Sequence, residues 1–135
     1  KPREWRMAIS DQEYLISTEL NSISHDFVNN AYSSEDMYWA KAMPAAILRN
    51  MLSNSLVMGL YALEQVGFAR FVTDHVTVFY LTDVYVEPDS RGKGLGKWLI
   101  SCCREILDSK PHLMRAMLMA SPGEGKEFYA KSLGM

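Results

Sequence analysis

The chain has 135 residues, 14 basic against 16 acidic side chains and 48% hydrophobic content, which is the composition of one soluble globular domain and excludes a disordered segment. Its richest apolar stretch, Leu56 to Val86, is interrupted by Glu64, Arg70, Asp74 and Asp83, so no membrane-spanning helix is expected, and no secretory signal pattern is visible. The formal charge of −2 is unevenly spread: residues 1–90 carry a net −6 and residues 91–135 a net +4, which is either ordinary solvated surface or a division between a cationic and an anionic ligand.

Along the chain, Glu13 to Ser17 reads as a short first strand. From Ser24 to Tyr32, Phe27, Val28 and Ala31 recur at helical spacing. Ser33, followed three residues later by Asp36, reads as the start of a second helix, although Asp is a weaker capping partner than Glu. Pro44 stands at a favoured first helical position, ahead of an apolar stripe of Ile47, Leu48, Met51 and Leu52 that stops at Asn54. The pattern then becomes extended. Leu56 to Leu63, Val66 to Thr73 and Val76 to Val86 are rich in Val, Phe, Tyr and Thr and predict an antiparallel meander, ended by Pro88.

After a glycine-rich loop, Leu95, Trp98, Leu99, Cys102, Cys103, Ile106 and Leu107 define an amphipathic helix, bounded by Pro111. The two cysteines are adjacent, with Cα atoms about 3.8 Å apart, below the usual range of a disulfide. Free structural thiols and a cytoplasmic location are expected. His25, His75 and His112 are scattered without ligand spacing, so no metal site is expected. Arg115 to Ala120 predicts a buried strand. Ser121-Pro122-Gly123-Glu124 then caps a helix running to about Ser132. The order β-α-α-β-β-β-α-β-α belongs to the α/β (α+β) class: a mixed, mostly antiparallel sheet with flanking helices and one right-handed parallel crossover.

Between the meander and the amphipathic helix lies Arg91-Gly92-Lys93-Gly94-Leu95-Gly96-Lys97. A strand, glycine loop and helix start aim unpaired backbone N–H groups at an anion. A Walker A loop needs four residues between its glycines and Ser or Thr after the lysine; here there are three, and Trp98 follows Lys97. The third glycine arrives one residue early for a Rossmann fingerprint. ATP, GTP and NAD are therefore disfavoured. A basic turn that merely caps the helix is the other reading of these residues.

The loop does match R-x-x-G-x-G, at Arg91, Gly94 and Gly96, after Val84-Tyr85-Val86-Glu87-Pro88. This resembles the acetyl-CoA-binding motif of the GNAT superfamily of N-acetyltransferases. Met37-Tyr38-Trp39-Ala40, Val66-Gly67-Phe68-Ala69-Arg70, Tyr80-Leu81-Thr82-Asp83-Val84 and the run from Phe128 to Met135 are similar to the family as well, so the likeness extends over most of the chain. It implies a single GNAT domain over residues 1–135, with the parallel crossover at its centre; the family's last two strands would follow the final helix and are not in this sequence.

The resemblance also implies acetyl-CoA as cofactor and CoA as product. Val84, Tyr85 and Val86 would run beside the pantetheine arm, and Arg91, Gly92, Lys93, Gly94, Leu95, Gly96 and Lys97 would hold the pyrophosphate. A backbone N–H near Val84 to Val86 would stabilise the oxyanion, a task where one fixed donor contributes about 3–4 kcal/mol. Tyr129 matches the position that reprotonates the leaving thiolate. With an ordinary phenol pKa near 10 against about 8.5 for a thiol, that transfer is uphill by about 2 kcal/mol.

The acceptor amine, with an ordinary pKa of about 10.4, must lose a proton, and Asp83 is the candidate to take it. The similar stretch of polyamine-type family members carries Glu where this chain has Thr82. Asp83 could equally bind the ammonium, act through water, or be a buried Asp satisfied by other donors. Tyr38, Trp39 and Glu64 are candidates for the amine side, through cation–π contact in the case of the aromatics, and Trp39 fits a core position as well. The reading is an N-acetyltransferase acting on a primary amine of a small molecule or protein by direct attack in a ternary complex, with a homodimer compatible and neither membrane nor nucleic acid expected as partner. A non-catalytic acyl-CoA-binding module of the same fold is the alternative.

Overall fold

The computed structural model describes residues 2–118; the expected last helix, and Tyr129 on it, lie outside the described residues. Six strands form one sheet whose order in space is their order in sequence: β1 (Glu4–Ile9), β2 (Gln12–Ser17), β3 (Leu56–Tyr61), β4 (Gln65–Thr73), β5 (Val78–Val86) and β6 (Arg115–Leu118). The first five pair antiparallel and β5 pairs β6 in parallel, as the predicted crossover requires. Helices α1 (His25–Tyr32) and α2 (Ala45–Ser53) connect β2 to β3, and α3 (Leu95–Asp108) makes the crossover. No helix among the described residues is long and apolar enough to cross a membrane.

Two expectations need correction. The sheet starts earlier than Glu13, with β1, in which Trp5, Met7 and Ile9 are half-buried and Glu4, Arg6 and Ala8 are exposed. That period of two is present in the sequence. The helix expected from Ser33 is a single 3-10 turn, Glu35–Met37. Ser33 ends α1 instead of starting a helix, and its hydroxyl donates back to the Asn29 carbonyl at 3.0 Å. Ser24, by contrast, does cap α1, accepting from the Phe27 N–H at 3.1 Å.

The sheet has an apolar layer on each face. On one, Leu99, Ile100, Cys102, Cys103 and Ile106 of α3 pack on Ile16, Met58, Phe71, Phe79 and Leu81. On the other, Val28 and Ala31 of α1 and Leu48 and Leu52 of α2 cover Val57 and Phe68. Ile47 of the predicted stripe stands out in solvent.

The pleat of β5 changes phase part-way along. Leu81 pairs with Phe71 and Asp83 with Arg70, so Thr82 is an extra residue without an opposite number on β4. Such a bulge turns the following side chains over. Leu81 therefore joins the α3 layer, and Asp83, two residues on, faces the α1–α2 layer beside Arg70.

Asp83 is 1% exposed and forms an ion pair with Arg70, Nε to Oδ2, at 2.7 Å. The Tyr32 hydroxyl donates to Oδ2 at 2.6 Å, the Trp39 indole N–H to Oδ1 at 3.2 Å, and Arg70 Nη1 to the Ser55 hydroxyl at 3.1 Å. Burial first, and then the Asp83 charge, raise the Tyr32 phenol above its ordinary range, which keeps it a donor.

Breaking one partner of a buried ion pair strands the other charge. Asp83→Ala should lower the free energy of unfolding in urea by about 3–5 kcal/mol, and the double variant Arg70→Met, Asp83→Leu should recover a large part of that loss. Burial also pushes the Cys102 thiol up to about 12, and raises Cys103. Both should resist a thiol-reactive disulfide reagent at pH 8 in the folded protein and react fully in urea. Because the unfolded thiols ionise near 9 while the folded ones stay protonated, stability is fully present below pH 9 and should fall above it, a decline that a pH series of melting curves would detect.

Candidate active site

β5 and β6 pair only over Val78–Leu81 and Arg115–Leu118. Beyond Leu81, next to the Thr82 bulge, the edge of β5 has no strand partner among the described residues. A cleft of about 370 Å³ lies along it, with Val84, Tyr85 and Val86 as one wall, the loop and first turn of α3 at one end, and Asp36 opposite. Eight of the ten residues expected to meet a cofactor line it: Val84, Tyr85, Val86, Arg91, Gly92, Gly94, Leu95 and Gly96.

Backbone conformation explains two of the loop glycines. Gly92 and Gly94 have φ of +82° and +81°, the left-handed region that side chains resist. Gly96 has an ordinary helical position, and a Cβ there would meet nothing closer than Val86 Cγ2 at 3.9 Å. Packing among the described residues does not require a glycine at 96; close approach by a ligand would. The amides of residues 92–97 have no backbone acceptor among the described residues, and Gly94 caps α3 without a side chain. A cluster of unpaired N–H groups at the positive end of a 14-residue helix is suited to a pyrophosphate.

The charged side chains are arranged differently from expectation. Arg91 lines the cleft, but its guanidinium turns back into the protein: Nε donates to the Val86 carbonyl at 2.7 Å and Nη2 to Asp36 at 2.7 Å, over the ring of Tyr85. Its side chain ties the loop to β5 and to Asp36. Lys93 and Lys97 are exposed and outside the cleft lining; Lys93 borders a different depression, with Ser10, Asp11 and Gln12 of the β1–β2 turn. Asp36 is the lining residue that sequence reading missed, because its partner lies 55 positions away.

On the expected amine side, Trp39 is bonded to Asp83, the residue before Val84, and Tyr38 meets its ring edge-on at 5.2 Å; neither is among the residues lining the cleft. Tyr38 is 71% exposed and Trp39 38%. Glu64 is exposed in the β3–β4 turn and is not brought to the cleft. Of the readings open for Asp83, its surroundings fit the buried Asp satisfied by other donors better than the base that takes the amine proton. Its carboxylate is shut off from water, with Arg70, Tyr32 and Trp39 already donating to it.

The sequence and the fold are shared with known proteins. The model of the acetyltransferase (GNAT) domain matches residues 57–133. A Gibberella zeae protein named as a candidate acetyltransferase is 35% identical over all of this chain and 84% of its own length. The crystal structure of a candidate GNAT-family acetyltransferase from Xanthomonas campestris superposes with a TM-score of 0.72 at 31% identity, covering 87% of this chain and 81% of that one. An aminoglycoside acetyltransferase from a soil metagenomic sample shares the fold, with a TM-score of 0.59 at 16% identity over 97% of this chain and 86% of its own. Matched by the family model over more than half its length and by a relative across all of it, this chain belongs to the GNAT acetyltransferase family.

Proposed function

We propose that this chain transfers the acetyl group of acetyl-CoA to a primary amine by direct attack in a ternary complex. The observation that carries the reading is Gly96, whose missing side chain keeps the helix start open towards the cleft although no atom of the described residues needs the space. Acetyl-CoA would bring an activated thioester and an anionic pyrophosphate. Amides 92–97 would hold the phosphates by charge-assisted hydrogen bonds. Residues 84–86 would run beside the pantetheine arm, and a backbone N–H on the open edge of β5 would donate to the acyl oxygen. The family resemblance supports Tyr129 as the acid that returns a proton to the sulfur.

The acceptor side favours a cation. Tyr38 and Trp39 offer aromatic faces, Glu35 and Asp36 lie beside them in sequence, and ammonium groups are attracted to such surfaces. With Asp83 enclosed, water in the open cleft is the proton acceptor that fits. Cys102 and Cys103, buried inside α3, take no part as acyl carriers.

Calorimetric titration with acetyl-CoA and with CoA should give micromolar binding, weakened at least about 100-fold by Gly96→Glu, a variant whose side chain fills only the cleft. A folded wild-type chain that binds neither ligand overturns the proposal. In a thiol-release assay over a panel of polyamine, lysyl-peptide and aminoglycoside acceptors, Tyr129→Phe should lower kcat by roughly 10²-fold while leaving the acetyl-CoA Kd unchanged.

A further inference from the structure

The segment between α1 and α2, residues 33–44, contains one short turn and no strand, yet it is pinned at three points. Asp36 is bonded to Arg91 at 2.7 Å, and Trp39 Nε1 to Asp83 Oδ1 at 3.2 Å. Met43 exchanges both backbone groups with the Asn29 side chain, at 3.0 and 2.9 Å. The first two anchors stand on either side of Val84–Val86, so the segment is fastened across the same stretch of β5 that walls the cleft. The third fastens it to α1, and α1 is bonded to Asp83 in turn, through Tyr32.

Asp83 therefore stands on β5 and collects bonds from β4, from α1 and from the 33–44 segment. Its charged neighbour is Arg70, and Tyr32 and Trp39 complete its surroundings. A buried carboxylate clamped to a guanidinium is a stiff anchor, because displacing either group leaves the other charge without a partner. What it holds is unusual for an exposed residue. The Trp39 ring is fixed through its indole N–H while 38% of the residue remains exposed, and Tyr38 is set edge-on to it. A preformed aromatic surface loses little freedom when a ligand arrives.

We propose that Asp83, paired with Arg70, is a positioning residue: it fixes the Trp39 indole, and with it Tyr38, as a preformed aromatic surface for a cationic acceptor, next to the cleft-lining Val84. The acceptor role rests on the acetyltransferase reading above; the anchoring rests on the hydrogen bonds alone.

The test uses the three indole N–H resonances of the 15N-labelled protein, with Trp39 identified by its loss in Trp39→Phe. Asp83→Asn preserves shape and removes the charge, and Arg70→Lys serves as a second variant should Asp83→Asn fail to fold. In either folded variant the Trp39 indole signal should shift and exchange with solvent about tenfold faster or more, while Trp5 and Trp98 stay in place and CoA binding is unchanged. An unmoved Trp39 signal in both variants overturns the anchor.

With any amine of the panel that is turned over, Trp39→Phe and Asp83→Asn should raise the acceptor KM about fivefold or more and leave the shape of the pH profile of kcat as in the wild type. Loss of kcat together with the acidic limb, at constant KM, would make Asp83 the base and overturn the proposal. The two readings fail separately. A wild type that binds no CoA while its Trp39 signal still responds to Asp83→Asn overturns the acetyl transfer and the acceptor surface with it, but not the anchor.

Discussion

One extra residue in one strand governs the arrangement of this protein. Thr82 has no partner on β4, and the sheet around it changes in two ways. The side-chain phase of β5 inverts, so that Phe79 and Leu81 face α3 before it while Asp83 and Tyr85 face α1 and α2 after it. Bulged strands also bend and twist more than regular ones, and the cleft lies along β5 just beyond Thr82. Without the bulge, the alternation of β5 would carry Asp83 into the apolar layer under α3, with neither Arg70 nor Tyr32 to receive it.

Burying that carboxylate is tolerable only because every donor around it is aimed. A buried ion pair contributes little net stability compared with apolar residues of similar size, but it is intolerant of partial loss. Its use here is therefore better sought in what it makes unique. It sets the relation of α1, β4, β5 and the 33–44 segment in a single arrangement, and that segment borders the cleft.

Within the glycine loop the roles are divided by cause. Gly92 and Gly94 answer to backbone conformation and would be glycine in any ligand-free turn of this shape. Gly96 answers to space. Arg91, which a reading by charge alone gives to phosphate, ties the loop to Val86 and Asp36, and in the proposed function the anion is left to the backbone amides. Neutral amides at a helix start suit an anion well: they donate in fixed directions and, unlike a lysine, need no ordering of a long side chain.

The sequence by itself determined what depends on near neighbours. The α3 stripe from Leu95 to Leu107, the Ser24 cap, the three strands of the meander and the R-x-x-G-x-G loop all express local periodicity or local backbone demands. They sufficed for the crossover sheet and, through the resemblance, for the family. β1 was legible too, in the alternation of Trp5, Met7 and Ile9. What only the tertiary structure decided are contacts between distant residues: Asp36 with Arg91 at 55 positions' separation, Tyr32 with Asp83 at 51, and Trp39 with Asp83 at 44. A lone Asp in a strand looks the same whether it is a base or an anchor. The difference lies in which donors the folded chain brings to it, and that choice is made by the register of β5 on β4, which one unpaired threonine resets.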